Sequence, residues 1–319
     1  MTASRGTRRI MAIAFLAVAL IFVVVLLRGQ WTSLDEVMAS TRAYHWSLRP
    51  WLLALAVLIG VVDLLLMGSV WARLFRRTGG DARLVDAVRV WVVTNFGRYI
   101  PGKVWQLGGL AAYMKGTGDS GAAALVSALA FQVIALATGA AVALSTLGVA
   151  WAGANGNGLP ALVTLAAILL IGLRPRVIHW TAGHIGRWLG ESDLTLDLDA
   201  GDIARAVAGM LFAWILYGVG FLVLLKGVGI AAEISQLPVV TGIFAASYVV
   251  GYLVLLAPGG LVVREGAMTG LLVELLGLAL GVAAAVAIMA RIWVLVTELV
   301  ALALVLAWRK SVAEEEKLV

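Results

Sequence analysis

From Ile10 to Leu27 eighteen consecutive side chains are apolar, and runs of similar character recur to the end of the chain. A continuous apolar run of about 18 residues or more reads as a membrane-spanning helix, not as a core element of a water-soluble domain. Composition agrees: 62% of the 319 residues are hydrophobic and 13% are charged, with a mean hydropathy of +1.00. A soluble domain carries about 25% charged residues. The expected fold class is therefore an all-α polytopic membrane protein. With no cysteine in the chain there is no disulfide framework, thiolate metal site or thiol nucleophile. His45, His179 and His184 fit no metal-ligand spacing, and no cofactor is expected. The net charge of +6 is assigned to topology and anionic lipid, with no nucleic-acid partner.

The basic residues set an expected topology. Arg5, Arg8 and Arg9 precede the first run, which ends in Leu26-Leu27-Arg28-Gly29-Gln30 without a small-x-small cleavage site. It is read as a retained first helix with a cytoplasmic N-terminus. Residues 28–50 form an external loop, with an interfacial helix expected around Trp31 to Tyr44. Trp51 to about Ala72 spans and is stopped by Arg73, Arg76 and Arg77. Ala122 to Ala150 and Pro160 to Leu173 follow, then a polar cytoplasmic segment at 174–205 that ends in Asp197, Asp199 and Asp202. Those carboxylates suit the start of a helix from about Ile203 to Leu225. The last helix is expected from about Val282 to Trp308. Segments assigned to the cytoplasm (1–9, 73–83, 174–205 and 309–319) hold 14 lysines and arginines, and the external ones (28–50 and 226–237) hold 4. The layout is self-consistent and places both termini in the cytoplasm, for a multi-pass protein of the cytoplasmic (inner) membrane.

Two polar breaks interrupt this pattern. Asn95-Phe96-Gly97-Arg98-Tyr99-Ile100-Pro101-Gly102-Lys103 divides a helix entering from Leu84 from a short one over Val104 to Met114. Pro258-Gly259-Gly260-Leu261-Val262-Val263-Arg264-Glu265 divides Val239 to Leu256 from Leu261 to Leu276. Each describes a re-entrant hairpin, one entering from each side, and each precedes a long Ala/Val-rich helix. With a two-residue shift Gln132 falls opposite Arg291, and Thr138 opposite Thr297. This predicts an inverted-topology repeat, about 51–173 and about 203–308, within one transmembrane domain spanning 1–319, with 1–50 supplying the N-terminal span and loop. Such repeats place a binding site at the midplane between broken helices.

Ionisable groups at that depth are functional-site candidates by default. Arg98, Lys103 and Arg264, with the new helix N-termini after Pro101-Gly102 and Pro258-Gly259-Gly260, make an anion site. Asn95, Gln132, Glu265, Arg291 and Glu298 complete the substrate-binding candidates; Arg291 and Glu298, seven apart, share a helix face. Asp63 lies mid-span. The structural alternative pairs Glu265 with Arg291, or Arg264 with Glu298, as locks between hairpin and last helix. Arg89 and Lys115 are assigned to the interface as snorkelling side chains, and Trp91, Trp105, Trp151, Trp180 and Trp308 to interface anchoring. The P-loop-like spacing of Gly97, Gly102 and Lys103 is set aside, because Val104 stands where a hydroxyl should hold magnesium. Asp197-Leu198-Asp199 is read as helix capping, not as a metal pair.

At both breaks the sequence resembles the lysylphosphatidylglycerol synthase transmembrane family, the flippase-like domain of multiple peptide resistance factor. Pro258-Gly259-Gly260-Leu261-Val262-Val263-Arg264-Glu265 is similar to that family's Pro-Gly-Gly-Leu-Gly-x-Arg-Glu signature, with Val262 at a usual glycine. Asn95 through Trp105 resembles the first-half counterpart, and Arg291 the arginine of the final helix. The resemblance implies translocation of an aminoacylated or otherwise modified phospholipid, or of a lipid-linked sugar, by rocking of one repeat against the other. The expected role is that of a flippase or scramblase without the aminoacyltransferase domain, not of an enzyme. The alternative is a membrane enzyme or accessory subunit for lipid modification. Expected partners are the membrane lipid itself and, compatibly, a second copy of the chain or a separate lipid-modifying enzyme or glycosyltransferase.

Overall fold

The computed structural model describes residues 34–99, 104–155, 198–253 and 262–315. Numbered among these, the helices are α1 (Leu34–Ala43), α2 (Pro50–Arg77), α3 (Leu84–Thr94), α4 (Val104–Gly116), α5 (Gly121–Asn155), α6 (Ala200–Gly227), α7 (Leu237–Leu253), α8 (Val263–Leu276) and α9 (Leu280–Glu315). A 3₁₀ turn, Asn95–Tyr99, continues α3, and another, Ile234–Gln236, leads into α7. Among the described residues there is no strand, and five helical stretches are long and apolar enough to cross a membrane, in α2, α5, α6, α7 and α9. The helix expected at 10–27, the one at 160–173 and both Pro-Gly pairs lie outside the described residues.

Local chemistry accounts for the helix ends. Pro50 begins α2, where its missing N–H is no loss, and Arg76 and Arg77 close it on the negative end of the helix dipole. Asp199 caps α6: its carboxylate accepts the backbone N–H of Asp202, whose own side chain accepts back from Asp199. Asp199 and Asp202 thus form a cap, as their position predicts, and Asp197 lies outside the described residues. Asp202 also receives Arg77 at 3.0 Å and Arg205 at 2.5 Å.

Helices α2 and α6 run antiparallel along their whole length. Leu53 lies against Gly227, Ile59 against Gly220, Val70 against Gly209, and Arg77 meets Asp202 at the end. A Cβ on Gly209 would stand 2.6 Å from Val70, and one on Gly220 only 2.7 Å from Trp293. Glycine is what lets these backbones approach, as small residues do between membrane helices. Gly139 likewise receives the Trp214 ring, so the small-residue faces are used within the chain.

Two apolar clusters fill the interior. In one, Trp71 stacks on Phe75 and on Trp91, and Trp91 meets the edge of Phe131 at 4.8 Å. Trp91 is 6% exposed, which corrects its assignment as an interface anchor: its ring has aromatic partners on α2 and α5. In the other, Tyr217 stacks on Phe244 and both meet the edge of Trp293. The outer faces are apolar instead: Ile288, Ile292, Leu299 and Leu304 on α9 are all at least half exposed, as expected of a surface that meets acyl chains.

A candidate ligand cavity

Between the two clusters lies a cavity to which all five spans contribute, together with α3, α4 and α8. Its polar wall holds Asn95, Arg98, Gln106, Gln132, Arg264 and Arg291, and its aromatic wall holds Trp91, Trp214, Tyr217, Tyr248 and Tyr252. Five candidate residues named from the sequence, Asn95, Arg98, Gln132, Arg264 and Arg291, therefore share one space. Pro101, Gly102, Lys103, Pro258, Gly259 and Gly260 lie outside the described residues.

The first break is tied to the last helix. Glu298, buried on α9, forms an ion pair with Arg98 and accepts a hydrogen bond from Asn95 Nδ2 at 3.0 Å. Gln106 Nε2 donates to Asn95 Oδ1 at 3.2 Å, which joins α4 to the same network. A buried carboxylate needs this much compensation: desolvation costs several kcal/mol per ion, offset by pairing and hydrogen bonds together. The alternative pairing of Arg264 with Glu298 is thereby corrected, because Glu298 faces the 3₁₀ turn after α3.

The second break is arranged differently. Glu265 pairs with Arg291 at 3.3 Å, as the structural alternative anticipated. Arg264 has no carboxylate within ion-pair distance among the described residues. Its guanidinium lies 4.9 Å from the centre of the Phe244 ring and 5.8 Å from that of Tyr248. Cation–π contacts of this kind contribute roughly 0.5–2 kcal/mol, and they leave the N–H donors of Arg264 uncommitted to a counter-charge. Gly251 seats the side chain: a Cβ there would stand 2.7 Å from Arg264 Cβ. Gln132 Nε2 and Trp91 Nε1, buried in the wall, have no hydrogen-bond partner among the described residues.

Backbone geometry marks the same place. Val262, at the head of α8, has φ 70° and ψ −47°. A positive φ is a true outlier for a β-branched residue, and the energy stored in such a conformation is about 1–3 kcal/mol. It falls at the position where the signature usually has glycine. Arg89, assigned to the interface, bonds to Asp86 at 3.2 Å across one turn of α3.

Sequence reasoning missed the tyrosines and Gln106. Tyr248 and Tyr252 are four residues apart and stack at 6.2 Å, so they present two hydroxylated rings on one face of α7. Such a pair in the last turns of α7, just ahead of the second Pro-Gly break, is the signal that could have found them.

The arrangement defines a multi-pass membrane protein with a polar and aromatic cavity among its spans. The sequence matches the family described as Lysylphosphatidylglycerol synthase TM region over residues 10–304, and the chain belongs to that family. This places it among membrane proteins with lipid-related roles. No curated protein and no solved structure matches the chain.

Proposed function

We propose that the protein is a lipid flippase or scramblase that carries an anionic or modified phospholipid, or a polyprenyl lipid, between leaflets. The observation that carries this reading is the Arg264 guanidinium, held on aromatic faces at the cavity wall without a carboxylate partner among the described residues. A cation kept at membrane depth without a counter-charge is one that a ligand's charge completes. A phosphate-bearing headgroup fits, since guanidinium donors match phosphate oxygens in a planar fork. Arg98 and Arg291, each already bearing a carboxylate, set the field around it, and Gln132 and Trp91 supply further donors.

The two broken segments are proposed as re-entrant hairpins of an inverted repeat, one half rocking against the other. Gln132 and Arg291, matched by the two-residue shift, both line the cavity, which supports that pairing. The proposed setting is the cytoplasmic membrane with both termini inside. The test is leaflet exchange of fluorescent phosphatidylglycerol and of its aminoacylated form in proteoliposomes. Wild type is expected to exchange lipid, and Arg264→Ala and Glu265→Gln to lose it while remaining folded. Folded wild type that moves no lipid under any gradient overturns the reading.

A further inference from the structure

Asp63 is fully buried in α2, and neither carboxylate oxygen has a hydrogen-bond partner among the described residues. It follows Ile59 by four residues and Gly60 by three, so it shares the face that meets Gly220 of α6 and Thr297 of α9. The antiparallel seam of α2 and α6 sets it level with Tyr217, close enough for the two to interact electrostatically. Tyr217 is itself part of the cavity wall. Asp63 is thus one side chain away from the ligand space.

The groups presented by its neighbours are few. Helix α6 brings Tyr217; α9 brings Thr297, whose Oγ1 also has no partner among the described residues, and next in sequence Glu298, already engaged by Arg98 and Asn95. Where α3 and α5 pack on α2 they bring Trp91 and Ser127, which do not titrate near neutrality. No cation among the described residues forms an ion pair with Asp63. An ionised carboxylate in that position bears a desolvation penalty of several kcal/mol without compensation, whereas a carboxyl holding its proton does not. A structural role would require partners for the two oxygens, and the described residues offer none.

Building on the transport reading above, we propose that Asp63 is a proton-binding site linked to the cavity, so that a phosphate anion at Arg264 and a proton at Asp63 are held together. When Asp63 ionises, its O–H bond breaks, the proton passes to water and the electron pair stays on the carboxylate. A negative charge beside the cavity then opposes an anion within it, and by reciprocity a bound anion keeps the proton in place. The cargo thus travels as anion plus proton, and a proton gradient drives it.

The test uses the full chain, with short-chain phosphatidylglycerol as the lipid probe and glycerol phosphate as the tail-free one. Wild-type affinity for phosphatidylglycerol is expected to fall as pH rises, by up to about tenfold per pH unit, the limit for one linked proton. Asp63→Asn, which keeps the shape and cannot ionise, is expected to bind with that slope removed and to exchange lipid without response to a pH gradient. Infrared spectra of wild type need no variant: a protonated-carboxyl carbonyl band should fade over the pH range in which affinity falls, and be missing in Asp63→Asn. Equal pH slopes in the two proteins, or no such band, overturn the proton site while leaving lipid transport standing. Binding of glycerol phosphate as tight as that of the lipid would make the anion a soluble one and keep the linkage. If neither probe binds at any pH, the transport reading fails and the linkage with it.

Discussion

The two breaks in the chain treat their arginines in opposite ways. At the first, Arg98 is bound to Glu298, and Asn95 and Gln106 complete the network. At the second, Glu265 takes Arg291 and leaves Arg264 on the rings of Phe244 and Tyr248. The first is compensated and ties α4 and the 3₁₀ turn to the last helix. The second leaves one cation without a carboxylate among the described residues. On the proposed function, the difference separates what holds this fold together from what it binds, although both arginines line one cavity.

The largest expected effect comes from breaking the compensated side. Glu298→Ala strands Arg98 and removes the acceptor of Asn95, and should destabilise the protein by about 3–5 kcal/mol. Thermal unfolding in detergent reads it, with lipid exchange falling mainly through lost folded protein. Arg264→Ala should behave in reverse: stability changes by no more than about 2 kcal/mol, the scale of its cation–π contacts, while lipid binding is abolished in the folded variant. A midpoint loss as large as that of Glu298→Ala would erase the distinction between the two breaks.

Gly251→Ala tests the seating of Arg264 without removing it. The added methyl would sit 2.7 Å from Arg264 Cβ, and overpacking of this kind costs about 1–3 kcal/mol. Lipid affinity should weaken through displacement of the guanidinium, and enlarging the cavity elsewhere should not restore it. The smallest effect runs the other way. Val262→Gly relieves the positive φ and should raise stability by up to about 1 kcal/mol, net of the entropy that glycine adds to the unfolded chain. A loss of stability there would mean that the Val262 side chain contributes packing that outweighs its backbone strain.

Much of this was legible in the sequence, and the limits are physical. Spans and caps are local, so Pro50, the Asp199–Asp202 box and the arginines after α2 announce themselves. Partners across helices are not local. The seven-residue spacing of Arg291 and Glu298 fixes a shared face but does not say what comes to meet it, so Arg264 is open as a partner of Glu298 until packing brings Arg98 to it. Trp91 shows the same limit: an indole suits an interface and a stacked core equally well, and only Trp71 and Phe131 decide between them. Asp63 is visible in the sequence as a charge mid-span, but its lack of partners among the described residues is a property of packing. Tyr217, Tyr248 and Tyr252 carry no charge to mark them, so the sequence alone does not single them out as cavity wall.

The account rests most heavily on Arg264 as the group that meets the headgroup. The direct measurement is photo-crosslinking in proteoliposomes, with phosphatidylglycerol carrying the reactive group beside its phosphate, followed by peptide mapping. The expected adducts fall on the cavity wall, on the α7 face bearing Tyr248 and Tyr252 and on the start of α8, and disappear in folded Arg264→Ala. Adducts confined to the outer apolar faces, such as those of Leu299 and Leu304, and unchanged in the variant, would contradict it.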